Sequence, residues 1–356
     1  MTPEGVIAAY GELVGVPVGT EVVTLREGQT PLVEAPTLAA RTGCDVRLKV
    51  EGANPTGSFK DRGMTVAITK ARAAGTRTVV CASTGNTSAS AAAYAARAGL
   101  DCAVVVPEGR VAVGKLAQAI VHGARVIQIR GSFDDALRCV REVGARGGVT
   151  VVNSVNPDRI LGQASAAFEL VDALGRAPDR VFLPVGNAGN ITAYGRGFEA
   201  YRAIGRADAV PALMGYEAEG AAPIALGRVV EHPETVATAI RIGNPASWRP
   251  AVAAAESSGG RIGAVSDAAI LEAWHLLAER EGVFCEPASA AGVAGLLRDG
   301  APRGALVVCV LTGAGLKDPD AATASAPAPI VLDADVEALA DAVLNPPAPR
   351  APGGGR

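Results

Sequence analysis

EGANPTGSFKDRG, residues 51–63, holds a single lysine, Lys60, between an aromatic residue and an aspartate. Asn54, Pro55, Thr56, Gly57 and Ser58 precede it and are turn-forming and helix-capping types, so a helix is expected to open at about Lys60. A resting ammonium is awkward there, because the helix macrodipole disfavours positive charge at an N-terminus. Just upstream, DVRLKV reads as a strand. The strand–loop–helix order then repeats. TVVCAS, CAVVVP, ARVIQI, VTVVNS, RVFLPVGN and ALVVCVLTG read as buried strands. DRGMTVAITKARAAG, NTSASAAAYAARAG, SFDDALRCVREVGARG, RILGQASAAFELVDALG and NITAYGRGFEAYRAIG read as helices. Gly75, Gly99, Gly175 and Gly205 stand where C-caps belong. Such alternation, with continuous apolar strands, predicts an α/β fold of parallel sheets covered by helices on both faces.

Composition narrows the function classes. The chain has 356 residues, 49% of them hydrophobic, enough for a large core and two domains. Aromatics are only 4%, so that core must be aliphatic. A net charge of −3 leaves no footprint for nucleic acid, and no basic run suggests a membrane surface. The six cysteines, Cys44, Cys81, Cys102, Cys139, Cys285 and Cys309, form no C-x-x-C pair and read as small buried hydrophobes in a reducing compartment. His122, His232 and His275 lack metal-ligand spacing, so no metal is expected. No basic segment followed by an apolar stretch opens the chain, and no apolar run is long enough to span a bilayer. The expectation is a soluble, cytoplasmic protein. The Pro- and Gly-rich 345–356 reads as a disordered tail.

In open α/β sheets, ligands bind beyond the carboxyl ends of strands. Residues 51–60, 83–88, 153–159, 186–190 and 312–315 are therefore the places to look. PVGNAGN can be an ordinary strand-to-helix turn or a cradle of backbone N–H groups for a phosphate. ASTGNTSAS can be a plain N-cap with surplus hydroxyls or a carboxylate site. Arg159 can be solvated or can grip an anion bidentately. Lys60 can be an exposed helix lysine, or an amine whose pKa is lowered in a dry site so that it forms a Schiff base. Taken together, the nucleophilic amine, anion cradle and hydroxyl-rich turn suit pyridoxal 5'-phosphate and an amino acid substrate.

From about residue 23 to about 320 the chain resembles the threonine synthases, pyridoxal-phosphate enzymes of the tryptophan-synthase-β-like fold. The likeness rests on VTLREGQTPLV, EGANPTGSFKDRGM, ASTGNTSASAAAYAARAG, KLAQAIVHGA, VNSVNP, LPVGNAGNITAY, IRIGNPASW, EPASAAGVAG and LTGAGLKDPD, in that order. It implies fold type II: two parallel-sheet α/β domains with the cofactor in the cleft. Residues 1–52 and 157–344 would form the large cofactor-binding domain and 53–156 a smaller mobile substrate domain. Lys60 would carry the cofactor as a Schiff base and shuttle protons. Asn86 would bond the cofactor's 3′-oxygen. Gly186, Asn187, Ala188, Gly189 and Asn190 would cradle its phosphate, and Thr312 would face its pyridine nitrogen. Ser83, Thr84 and Thr87 would take the substrate carboxylate, and Asn153, Ser154 and Arg159 the substrate phosphate. The implied activity is a carbon–oxygen lyase of threonine biosynthesis. It would turn O-phospho-L-homoserine and water into L-threonine and phosphate by γ-elimination and β-addition, in an enzyme that is often a homodimer. Asp61 and Arg62 would brace the helix as an ion pair at the surface.

The chain departs from the family pattern at Leu161 and Ala164, where the family usually has an acidic residue and a lysine. Ala314 replaces a polar residue, and Gly195 stands where a bulky aromatic is frequent. These positions are expected to flank the substrate-phosphate and pyridine ends, so the pocket is either neutrally varied or retuned. A retuned enzyme would perform elimination or replacement on another homoserine ester or amino acid. A non-catalytic binder of an anionic amino acid is the other alternative, and the intact Lys60, Asn86 and Thr312 argue against it.

Overall fold

A computed structural model describes residues 4–109, 113–324 and 329–344. One unit comprises Met1–Asp318 and a second, short one Pro319–Arg356. In chain order the first contains α1 (Val6–Tyr10), β1 (Leu32–Glu34), α2 (Pro36–Thr42), β2 (Asp45–Val50), α3 (Lys60–Ala73), β3 (Thr78–Ala82) and α4 (Asn86–Ala98). There follow β4 (Asp101–Pro107), α5 (Val113–Val121), β5 (Arg125–Ile129), α6 (Phe133–Ala145), β6 (Val149–Val151), α7 (Pro157–Leu174), β7 (Arg180–Pro184) and α8 (Gly189–Ala203). The unit is completed by β8 (Ala212–Ala218), α9 (Pro223–Leu226), α10 (Trp248–Ser257), β9 (Arg261–Val265), α11 (Asp267–Arg280), α12 (Ala291–Asp299) and β10 (Leu306–Leu311). The second unit carries α13 (Pro319–Ala324) and α14 (Val336–Leu344). The expected tail, 345–356, lies outside the described residues.

The strands form two sheets, ordered β1-β2-β10-β7-β8-β9 and β5-β4-β3-β6. All pairings are parallel except β1 with β2. Parallel strands are covered on both faces, which is why β10 is buried along its whole length and reads as an unbroken apolar run. Both orders reverse direction once, between β7 and β10 and between β3 and β6. Crevices open at such switch points. The segments leaving β3, β6, β7 and β10 are 83–88, 152–156, 185–188 and 312–315, so the topology delivers the suspected loops to the two crevices.

Small side chains let the helices lie close. On α4, Ala89, Ala91, Ala92, Ala93 and Ala95 are all buried, which explains how a core so poor in aromatics still fills its space. Helices α3 and α7 cross with their backbones in contact. A Cβ at Gly162 would stand 2.1 Å from the Arg62 carbonyl oxygen, and one at Gly63 would stand 2.5 Å from the Arg159 carbonyl oxygen. This crossing fixes Lys60 beside Arg159 at the starts of the two helices.

The expected surface pair of Asp61 and Arg62 is not what the chain builds. Both side chains are fully buried, and they face different partners. Asp61 accepts from the Thr56 amide and hydroxyl and from Ser90 Oγ, tying the lysine loop to α4. Arg62 forks between Glu51 and Glu169 at 2.6 to 2.8 Å, and Lys49 donates to Glu169 at 2.7 Å. Burial pushes the Glu169 carboxyl up, but Arg62 and Lys49 outweigh it and hold it at about 2.

Candidate active site

Lys60 is the first residue of α3, and its ammonium lies 4.1 Å from the centroid of the Phe59 ring. Burial, and then the charge of Arg159, lower its pKa to about 7, while Glu286 pulls the other way. The amine is thus poised between its charged and neutral forms near neutral pH. This answers the puzzle of a lysine at a helix N-terminus: the dipole and the neighbouring guanidinium both favour the neutral amine.

Residues 312–314 clasp the lysine loop on one side and a second segment on the other. The Phe59 amide donates to the Thr312 carbonyl at 3.0 Å and the Ala314 amide to the Gly57 carbonyl at 2.9 Å. Across from them, the Glu286 amide donates to the Gly313 carbonyl at 3.0 Å. A Cβ on Gly313 would meet the Glu286 carboxylate at 2.5 Å, so a larger residue there would displace that side chain. The Thr312 hydroxyl shares a 2.9 Å hydrogen bond with Ser289 Oγ.

The loop between β7 and α8 has Ala188 in the left-handed region at φ 62°, just before the first helical residue. A Cβ on Gly186 would press on the Ile240 backbone at 3.0 Å. Asn187 Oδ1 accepts from the Ala246 amide, which anchors the loop from behind. Asn190 Nδ2 is buried with no partner. The first N–H groups of a helix lack intrahelical acceptors as well.

Arg159 is fully buried. Its Nη1 donates to the Val152 carbonyl at 3.1 Å, whereas Nε and Nη2 are buried without a partner. Burial lowers its pKa to about 10, still well above neutrality, so the guanidinium is charged. A buried cation with two idle nitrogens, and no carboxylate on it among the described residues, has the donors to receive an anion.

Other suspected residues do structural work here. Asn153 is spent on the Ala82 backbone, accepting from its amide at 3.0 Å and donating to its carbonyl at 2.8 Å, which stitches the ends of β3 and β6. Ser83 Oγ accepts from the Gly85 and Ser88 amides at 3.3 Å. The Thr84, Thr87 and Ser154 side chains are half-buried and make no hydrogen bond among the described residues. Asn86 Nδ2 lies 3.1 Å from both oxygens of Glu286. Sequence reasoning missed Glu286 and Ser289. Their motif, EPASAAG, follows no strand, so the rule that ligands bind beyond strand ends does not point to it.

The positions expected to retune the pocket mostly lie elsewhere. Ala164 is buried in the core cluster between α7 and α8. Five residues of helix turn it about 140° away from Arg159. Leu161 packs beside Gly15 and the same core. A Cβ on Gly195 would strike Ala254 at 2.8 Å, so this glycine serves the contact of α8 with α10. Ala314 alone stays near the lysine loop.

The residues fit a phosphorylated pyridine aldehyde. The amine can be neutral, the left-handed turn with its idle Asn190 amide suits a phosphate, and the Thr312 hydroxyl can meet a ring nitrogen. No helix among the described residues is long and apolar enough to cross a membrane. Comparison with known proteins points the same way. The family model for pyridoxal-phosphate dependent enzymes matches residues 23–313. The threonine synthase of Mycobacterium leprae is 59% identical over 339 residues, 93% of this chain and 94% of that protein. That of Synechocystis is 60% identical, covering 89% of this chain and 84% of that protein, and that of Methanocaldococcus jannaschii is 48% identical, covering 93% and 85%. Among solved structures, a T.th. threonine deaminase is 28% identical with a TM-score of 0.69, covering 81% of this chain and 92% of its own. Maize serine racemase, 21% identical with a TM-score of 0.72 over 83% and 91% of the two chains, shares the fold.

Proposed function

We propose, from the premise that this chain belongs to the pyridoxal-phosphate-dependent enzymes of fold type II and within them to the threonine synthases, that it makes L-threonine and phosphate from O-phospho-L-homoserine and water. It is a carbon–oxygen lyase of amino-acid biosynthesis. The observation that carries the substrate choice is the buried Arg159 with two idle nitrogens beside the Lys60 amine. A phosphate ester on a short amino acid supplies the dianion that this cation lacks.

When bound, the cofactor provides a sink for the electrons left on substrate carbon after deprotonation. The chain's residues do the rest. Lys60 would hold the cofactor, and its amine would accept and return protons at the substrate carbons. Asn190, with Gly186, Asn187, Ala188 and Gly189, holds the cofactor phosphate. Thr312, steadied by Ser289, faces the pyridine nitrogen, and a hydroxyl does not keep that nitrogen protonated as a carboxylate would. Asn86 donates to the ring oxygen. The α4 N-terminus with Ser83, Thr84 and Thr87 receives the substrate carboxylate. Arg159 and Ser154 hold the leaving phosphate, and Asn153 keeps that loop in register with β3. Residues 53–156, which carry the four-stranded sheet, act as the substrate domain and move against 1–52 and 157–344. The enzyme works in the cytoplasm as a homodimer.

The test is incubation of the cofactor-loaded protein with O-phospho-L-homoserine while threonine, 2-oxobutyrate and phosphate are followed together. Threonine and phosphate should appear in equal amounts. Phosphate with 2-oxobutyrate and no threonine would make the protein an eliminating enzyme and overturn the reading.

A further inference from the structure

Glu286 sits in the segment clasped by residue 313, across from the lysine loop. Its side chain is 4% exposed, and among the described residues its oxygens accept only from Asn86. The segment that carries it is fixed on both sides: its amide donates to Gly313, and its carbonyl accepts from the Ser289 amide at 2.9 Å. A carboxamide nitrogen bears two hydrogens. With one engaged by Glu286, the plane of the carboxamide is set and the other hydrogen has a defined direction. Burial raises the pKa of this carboxyl, the Asn86 hydrogen bond, Lys317 beyond β10 and Lys60 on α3 lower it, and Asp318 raises it. Arg159 and Glu286 are in turn the charges that act on Lys60, with opposite signs.

We propose that Glu286 is a positioning residue: its carboxylate locks the Asn86 carboxamide so that one amide hydrogen is presented to the cofactor's ring oxygen. The inference rests on the functional reading above and adds to it the group that sets the Asn86 orientation. A second consequence is electrostatic. The negative charge favours the protonated form of the linkage between Lys60 and the cofactor, offsetting Arg159.

The experiment needs no turnover. Cofactor affinity, and the pH midpoint of the visible absorbance band of the substrate-free holoenzyme, are measured for the wild type, Glu286→Gln, Glu286→Asp, Asn86→Ala and the Glu286→Gln/Asn86→Ala double variant. Glu286→Gln should lower the midpoint by on the order of one pH unit, because a neighbouring opposite charge is gone. It should also weaken cofactor binding roughly tenfold, the worth of one charge-assisted hydrogen bond. Glu286→Asp should restore the midpoint. In the Asn86→Ala background, Glu286→Gln should cost no further affinity, since its effect runs through the carboxamide. If Glu286→Gln fails to fold, Glu286→Asp still decides: its midpoint should stay near the wild-type value while cofactor affinity falls, because the charge is kept but the shorter side chain no longer reaches the Asn86 carboxamide. An unmoved midpoint in Glu286→Gln, wild-type affinity or a displaced midpoint in Glu286→Asp, or additive affinity losses would each overturn the proposal. A coloured wild type that makes no threonine overturns the functional reading alone, and a colourless one overturns both.

Discussion

Replacing Arg159 by methionine should pull substrate binding and stability in opposite directions. Methionine keeps an unbranched side chain but removes the charge and every donor. In the ligand-free protein, Nε and Nη2 are buried without partners, and Nη1 has only the Val152 carbonyl. Each of these two buried unsatisfied donors costs about 1–3 kcal/mol, against about 1.5–3 kcal/mol for the lost charge-assisted hydrogen bond. Arg159→Met should therefore leave the cofactor-free protein as stable or up to about 3 kcal/mol more stable, read from denaturant midpoints. Catalysis should suffer. One charge-assisted bond to the substrate phosphate is worth about 1.5 kcal/mol and two about 3 kcal/mol, so kcat/KM on O-phospho-L-homoserine should fall roughly 10- to 150-fold. O-acetyl-L-homoserine, which offers no dianion, should be affected far less. The pH response has a definite sign. Arg159 helps to hold Lys60 at about 7, so its removal raises the Lys60 pKa. Trapping of Lys60 by a small aldehyde in the cofactor-free protein should then need higher pH. Equal losses on the two esters, a trapping midpoint that does not rise, or a loss of stability beyond about 2 kcal/mol would refute the assignment of Arg159 as an anion receptor.

Lys60→Ala should abolish turnover and borohydride trapping of the cofactor while the phosphate cradle still binds it; normal threonine formation in this variant would end the mechanism. Ala164→Lys, which restores a residue the family often has, should not improve use of a phosphorylated substrate. It should destabilise the fold by at least about 3 kcal/mol, because the ammonium would enter the core between α7 and α8, and a thermal melt would reveal this. Gly162→Ala should cost about 1–3 kcal/mol by forcing α3 and α7 apart, and it should slow catalysis as well, since Lys60 and Arg159 share that crossing. Wild-type kinetics in a destabilised Gly162→Ala would show that the crossing matters only for folding.

Much of the α/β plan was legible in continuous apolar strands such as LVVCVL and in glycines after helix ends, and Gly75, Gly99, Gly175 and Gly205 all have positive φ. Strands β8 and β9 escaped notice because Gly215, Glu217 and Gly263 interrupt their apolar character, although Glu217 is fully buried. The loops proposed for the cofactor are legible as loops, because each is a strand end followed by glycine and small polar residues. What could not be read was direction. Sequence spacing does not say which face of α7 carries Arg159, so it cannot show that Ala164 and Leu161 turn away from that guanidinium into the core. Nor does it say which buried charges meet. Arg62 reads as a surface residue beside Asp61, and only tertiary contact with Glu51 and Glu169 gives it a place.

The ion cluster of Lys49, Glu51, Arg62 and Glu169 carries two positive and two negative charges, drawn from β2, the turn after it, α3 and α7. Removing one member would leave a buried charge uncompensated and cost about 3–5 kcal/mol. Its field largely cancels at a distance, and none of its members is among the charges that act on the Lys60 amine, although Arg62 is only two positions along the same helix. The protein therefore separates two jobs that adjacent residues could have confused. The foundation of the lysine helix is electrically silent, so the reactivity of the amine can be adjusted through Arg159 and Glu286 without touching what holds it up. Conversely, the foundation is closed to gradual change, because the loss of any one charge among the four ends its neutrality.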